Sequence, residues 1–264
     1  MSTPPAVDLV ADLGEGFGNY RLGEDEAMLD IVTSANVACG FHAGDPRTMD
    51  ATVRSCVKKG VALGAHPGFP DLVGFGRRGM DLSANEVRTD VLYQVGALHA
   101  FARARGSRLQ HVSPHGRLGN IVVEDESYAD AVTEAVAGFD ASLLVLTQEG
   151  ALADSARKRG LSVAIIGFAD RAYRDDGTLV PRSSPKALVT DPAEVLARVV
   201  RMVMEGVVRS AEGRDVRIKC DTVLIHGDTP GAVDLGRKLK AGLVAAGVQV
   251  KALRDTFPPQ APPS

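Results

Sequence analysis

The chain has 264 residues, a formal charge of −3, 45% apolar residues and no tryptophan. That length suits a single α/β domain with a core of Val, Leu, Ile and Ala. The weak negative charge leaves no basic footprint for nucleic acid, and no apolar run approaches the ~18 residues of a membrane span, so small-molecule chemistry is the expectation.

The start, Met1 to Pro5, lacks the charged and apolar regions of a signal peptide. Cys39, Cys56 and Cys220 are odd in number and form no C-x-x-C. Both features predict reduced thiols in a cytoplasmic protein.

In chain order, a first strand over residues 7–11 runs into Asp12-Leu13-Gly14-Glu15-Gly16, and a helix is expected over 25–32. A strand over 35–40 leads to Phe41-His42-Ala43-Gly44-Asp45, where Asp45 is placed to cap a helix reaching Gly60. A strand over 61–65 leads to His66-Pro67-Gly68 and then Gly74-Phe75-Gly76-Arg77-Arg78. Ser83, with Glu86 three residues on, has the spacing of a capping box for a helix over 84–106. The strand 109–112 leads to Ser113-Pro114-His115-Gly116, followed by helix 125–138, strand 143–146 and helix 151–160. A strand over 163–167 leads to Phe168-Ala169-Asp170-Arg171, and Asp-Gly at 176–177 signals a small hairpin within 172–180, positioned to cover a pocket mouth. The rest reads as helix 192–209, strand 223–225 ending in His226-Gly227-Asp228, helix 231–247 and strand 249–253.

Seven or eight strands alternating with helices argue for βαβ units and a parallel barrel. One barrel domain is expected over residues 1–255, with a Pro-rich flexible tail over 256–264. Six strand exits carry His, Asp or Glu, and in a parallel barrel all such exits share one face, where active sites assemble. One polar pocket, hence an enzyme, follows.

The glycines after Asp12 do not complete G-x-G-x-x-G, and two carboxylates there would repel a pyrophosphate. The chain contains no G-x-x-x-x-G-K-[ST] and no G-x-S-x-G. The candidates for catalysis are Asp12, Glu15, His42, His66, His115 and Asp170. Those for substrate binding are Asn36, Arg77, Arg78, Arg171, His226 and Asp228; Arg forks suit an anionic group, and Asp228 is also placed to cap the next helix. His111 reads as a hydrogen-bonded strand residue and His99 as a packing or solvent-facing one. The remaining imidazoles and carboxylates suit either a divalent-metal site or metal-free acid–base work, and the choice is left open.

Several long runs carry a resemblance. Asp12-Leu-Gly-Glu-Gly-Phe-Gly18, Thr33-Ser-Ala-Asn-Val-Ala-Cys-Gly-Phe-His-Ala-Gly-Asp-Pro46, Gly64-Ala-His-Pro-Gly-Phe-Pro-Asp-Leu72, Pro114-His115-Gly116 and Phe168-Ala-Asp-Arg-x-Tyr173 closely resemble the LamB/YcsF family, the A subunits of 5-oxoprolinase. The resemblance implies a seven-stranded β/α barrel similar to polysaccharide deacetylases. It also implies ATP-dependent opening of 5-oxoproline to glutamate with partner subunits B and C, the ATP being bound here or by a partner.

The chain departs from the family pattern at five positions. Val10 and Ala11 stand for Asn and Cys, Ser113 for Lys, Gly119 for Tyr and Ile166 for Glu. All five are expected to face the pocket. Joint loss of a Lys and a Glu predicts that Ser113 and Ile166 are neighbours, with Arg117 supplying positive charge. A divergent paralogue acting on another cyclic or acylated amide, and a non-catalytic binding protein, are the alternatives.

Overall fold

The structure, a computed structural model, describes residues 4–181, 184–227 and 231–257. Asp228 and the tail from residue 258 lie outside these. In chain order the elements are β1 (Ala6–Leu13), α1 (Asp25–Met28), β2 (Ser34–Ala38), α2 (Pro46–Lys59), β3 (Ala62–His66), α3 (Ala84–Ala104), β4 (Leu109–Val112), α4 (Gly116–Ile121) and α5 (Glu126–Phe139). There follow β5 (Leu144–Thr147), α6 (Ala151–Lys158), β6 (Val163–Phe168), α7 (Pro192–Glu205), β7 (Val207–Arg209), β8 (Asp215–Arg217), β9 (Thr222–Ile225), α8 (Ala232–Ala245) and β10 (Gln249–Val250).

Strands β1 to β6 pair in sequence order, β6 pairs with β9, and β9 returns to β1, every pairing being parallel. The result is a closed seven-stranded barrel, whose closure removes the sheet edges. Strand β10 adds two residues beside the start of β1.

Alternation along each strand sorts the side chains. Leu9, Ala11 and Leu13 of β1 pack outward against the helices in the main core. Val10 faces inward and joins Leu144, Leu146, Ala164, Ile166, Phe168 and Leu224 in a second apolar cluster. The rest of the interior is polar, with Asp8, Ser34, Asn36, His111 and Thr222 all fully buried.

Local signals set the helix limits. Asp45 accepts from the Arg47 and Thr48 N–H groups at the start of α2, and Gly60 ends that helix at φ +71°. The Ser83–Glu86 capping box is formed in full. The helix expected to reach residue 209 stops at Glu205, because Gly206 takes φ +66° and turns the chain into the antiparallel β7–β8 pair. The Asp-Gly hairpin forms, bridging Tyr173 and Leu179, with Gly177 at φ +84° and close to Val216 of β8.

Candidate active site at the barrel mouth

The strand exits converge as their composition implies. Asp12 lies at the end of β1, Glu15 just beyond it, His42 after β2, His66 at the end of β3 and His115 after β4. His66 Nε2 is 3.3 Å from Asp12 Oδ1 and 2.9 Å from His115 Nδ1. Glu15 Oε1 is 3.3 Å from His42 Nε2 and 3.6 Å from His115 Nδ1. The His42 and His115 rings stack, with centroids 3.7 Å apart and planes 5° from parallel. Across the mouth, His226 Nδ1 sits 2.9 Å from both oxygens of Asp170, joining the exits of β9 and β6.

Backbone carbonyls fix two of these rings. His66 Nδ1 is 2.6 Å from the Ser113 carbonyl, and His115 Nε2 is 2.9 Å from the Phe75 carbonyl. A carbonyl only accepts, so each of those nitrogens carries the proton. His66 Nε2 and His115 Nδ1 therefore meet as two lone pairs, an arrangement that calls for a cation between them, either a proton or a metal.

The Gly-rich segment, expected as an anion loop, forms the wall that clamps the rings. Phe75 is the non-glycine residue at positive φ (+55°) among the described residues. Its ring packs edge-on against His42 and His115. Such strained backbone persists where surrounding contacts over-determine it. A Cβ on Gly76 would lie 2.7 Å from His42 Cβ and 2.9 Å from His115 Cδ2, so only glycine permits this approach.

Electrostatics follow burial. His42 is pushed well below the usual imidazole value by burial first, then by neighbouring His115 and His66. His115 falls to about 3 for the same leading reason, with His66 adding to it. Burial alone raises the Asp12 carboxyl, but the His66 ring beside it, together with His226 and His115, outweighs this and holds Asp12 below the usual carboxylate range. Burial thus favours neutral His42 and His115 rings beside an ionised Asp12 carboxylate.

Other expected residues lie elsewhere. Asn36 is fully buried beneath Asp12 and donates to its Oδ1 at 2.9 Å, a position that orients the carboxylate. Arg171 is buried in the wall, where its guanidinium donates to the Val180 carbonyl at 2.7 Å and to the Ala187 carbonyl. It straps the segment after β6. Arg78 is tied to Asp71, which also accepts from the Gly74 N–H, so it shapes the loop. Arg77 alone of the three keeps the expected position, exposed at the mouth with its guanidinium 4.9 Å from the Phe75 ring centroid. Gln94 of α3, not among the site candidates, supports the wall: its amide bonds both the N–H and carbonyl of Gly68. A buried polar residue on the apolar stripe of a predicted helix was the available signal.

Of the five departures, Ala11 faces the helices and belongs to the scaffold, because alternation turns it outward. Val10 and Ile166 share the apolar interior. Strand β5 alone separates β4, which Ser113 follows, from β6, which carries Ile166, and Arg117 is exposed on α4.

The LamB/YcsF family matches residues 7–257. The chain belongs to that family. A Pyrococcus furiosus relative, named as the A subunit of 5-oxoprolinase, is 50% identical over 250 residues, spanning 94% of this chain and 98% of its own. The Bacillus subtilis protein of the same name is 47% identical, covering 94% and 97%. A crystal structure of a lactam utilization protein from Thermus thermophilus superposes with TM-score 0.90 at 47% identity, over 94% of this chain and 99% of that one. The catalytic domain of a peptidoglycan N-acetylglucosamine deacetylase from Eubacterium rectale matches with TM-score 0.52 at 13% identity, over 98% and 92%, which shows the shared barrel fold.

The donor set fits a divalent metal. Glu15, His42, His66 and His115 bring one ligand atom each to within 4.8 Å of one another, all buried. Three imidazoles and a carboxylate are donors that zinc accepts. The two carbonyl-anchored rings have the outer support typical of metal ligands, and His42 Nδ1 is buried without a hydrogen-bond partner. No helix among the described residues is long and apolar enough to cross a membrane.

Proposed function

We propose that this chain is the lactam-opening component of an ATP-dependent 5-oxoprolinase, a cytoplasmic enzyme working with subunits B and C to convert 5-oxoproline to L-glutamate. The observation that carries the reading is the convergence of Asp12, Glu15, His42, His66 and His115 at one mouth, in a chain about half identical to relatives named for that activity.

Opening a lactam breaks the ring C–N bond, places a water oxygen on the carbonyl carbon and puts a proton on the departing nitrogen. ATP supplies the activation by phosphorylating the lactam oxygen and leaving as ADP; C–N cleavage after water attack then leaves an acyl phosphate, which a second water converts to the carboxylate and inorganic phosphate. The lack of a P-loop in this chain favours one of the partners as the nucleotide's holder. Arg77, exposed beside the imidazoles, suits the substrate carboxylate or the phosphoryl group. Asp12, ionised and in contact with His66, suits removal of a proton from the attacking water. His226, oriented by Asp170, stands across the mouth to deliver one to the leaving nitrogen. A divalent cation held by Glu15, His42, His66 and His115 would supply Lewis-acid polarisation or a more acidic water.

The test is reconstitution with subunits B and C of a relative, 5-oxoproline and ATP. ATP-dependent glutamate release is expected. No turnover, while the relative's own counterpart of this chain works with the same partners, refutes the reading. Val10 and Ile166, which make part of the barrel interior apolar, favour a second reading in which the substrate is another cyclic or acylated amide. A lactam panel under the same conditions separates the two.

A further inference from the structure

Beneath the mouth, a chain of hydrogen bonds crosses the polar half of the barrel interior, and its direction can be read without seeing a hydrogen. It starts at the other end of the barrel, where the Arg254 backbone N–H meets Gln110 Oε1 at 2.9 Å. A backbone N–H only donates, so the sense of the Gln110 amide is fixed and its Nε2 is the donor. Gln110 Nε2 reaches Ser34 Oγ at 3.0 Å and His111 Nδ1 at 3.1 Å. His111 Nδ1 is then an acceptor, which places the ring proton on Nε2. That nitrogen is 2.7 Å from Asn36 Oδ1, so the Asn36 amide is fixed too, and its Nδ2 donates to Asp12 Oδ1 at 2.9 Å.

Two local features make the chain possible. Strand β4 slips by one residue against β3, Leu63 facing Leu109 but Gly64 facing His111, so Gln110 is a bulge. Bulges re-aim side chains in this way. Gly64 leaves a slot for the ring, since a Cβ there would lie 1.9 Å from His111 Nε2. Burial, with His66 nearby, holds His111 down at about 3, consistent with a ring carrying one proton.

We infer that His111 is a positioning residue: through Asn36 it fixes which oxygen of Asp12 is hydrogen-bonded from below, and so sets the carboxylate against His66. The inference rests on the proposed lactam chemistry only where a rate is measured. A ring locked as the Nε2–H tautomer holds the Asn36 amide in one sense. Without it, the Asn36 carbonyl loses its donor and the amide that aims Asp12 is no longer held in place from below.

The experiment has two arms. In the reconstituted complex, His111→Phe keeps the ring volume but removes the donor. The expected result is a kcat lower by about 10–100-fold, the usual cost of losing an outer-shell partner, with KM within about twofold. Gly64→Ala, which displaces the ring, should reproduce that loss, and His111→Gln, which keeps a donor, should recover most of the rate. Wild-type kcat in His111→Phe overturns the proposal.

The second arm needs no substrate. Long-range ¹H–¹⁵N spectra of the wild-type protein should show His111 as the Nε2–H tautomer and slow exchange of the Asn36 side-chain amide. A His111 ring protonated on Nδ1 overturns the proposal whether or not 5-oxoproline is turned over. If no lactam is hydrolysed yet the Nε2–H tautomer is found, the functional reading fails while the positioning device stands.

Discussion

Asp8, at the far end of the barrel from the mouth, offers the sharpest test of the interior electrostatics. Its carboxylate is fully buried and accepts from Thr33 Oγ1 at 2.6 Å, Ser34 Oγ at 2.7 Å and Thr222 Oγ1 at 2.6 Å. Burial raises its pKa from 3.8 to about 6 against the lowering effect of those hydroxyls, with Asp255 adding slightly to the rise. The folded protein thus holds this proton more tightly than the unfolded chain does. The stability contributed by Asp8 is fully present below about pH 4 and is lost as pH rises through about 6, where the folded state must carry a buried charge. A shift of about two units at ~1.4 kcal/mol each makes the penalty about 3 kcal/mol. Asp8→Asn removes the charge and keeps the shape, and hydroxyls that donate to a carboxylate can turn to accept from an amide. Urea unfolding of wild type and Asp8→Asn from pH 4 to 8 checks this. The variants should be nearly equal at pH 4, with Asp8→Asn gaining up to about 3 kcal/mol by pH 7.5. Parallel curves over the whole range would refute the reasoning, because all other titrations cancel in the difference.

Further outcomes follow from the mouth and its scaffold. Arg77→Ala should raise KM for 5-oxoproline about tenfold or more with kcat little changed, since a charged hydrogen bond to a carboxylate is worth ~1.5–3 kcal/mol and is made equally in ground and transition states; a fall in kcat alone would contradict it. Equilibrium dialysis against Zn²⁺ should leave about one ion per wild-type chain, while His66→Ala and His115→Ala each bind at least about tenfold more weakly; equal retention by all three would place the ion elsewhere. Asp45→Ala should lower the unfolding free energy by about 1 kcal/mol through loss of the α2 cap, and an unchanged urea midpoint would show that the Arg47 and Thr48 N–H groups find water at no cost.

Much of this molecule is legible from residue order. The Ser83–Glu86 pair, Asp45 before Pro46 and the left-handed glycine at Gly60 mark helix ends through contacts no more than four residues apart. Short apolar runs ending in His, Asp or Glu mark strands and their functional ends, because parallel connections put every exit on one face. The barrel and the grouping of Asp12, His42, His66 and His115 follow from that. Residue order could not assign partners across 50 to 75 positions, which depend on strand register and closure. Arg171 and Arg78 carry the charge of anion binders, but one is folded into a wall and the other is tied to Asp71. Asn36 and His111 are ordinary strand residues until the bulge at Gln110 turns the imidazole inward into the slot above Gly64. A one-residue slip reverses every side chain beyond it, so only the closed barrel decides which polar groups face the chemistry and which hold it in place.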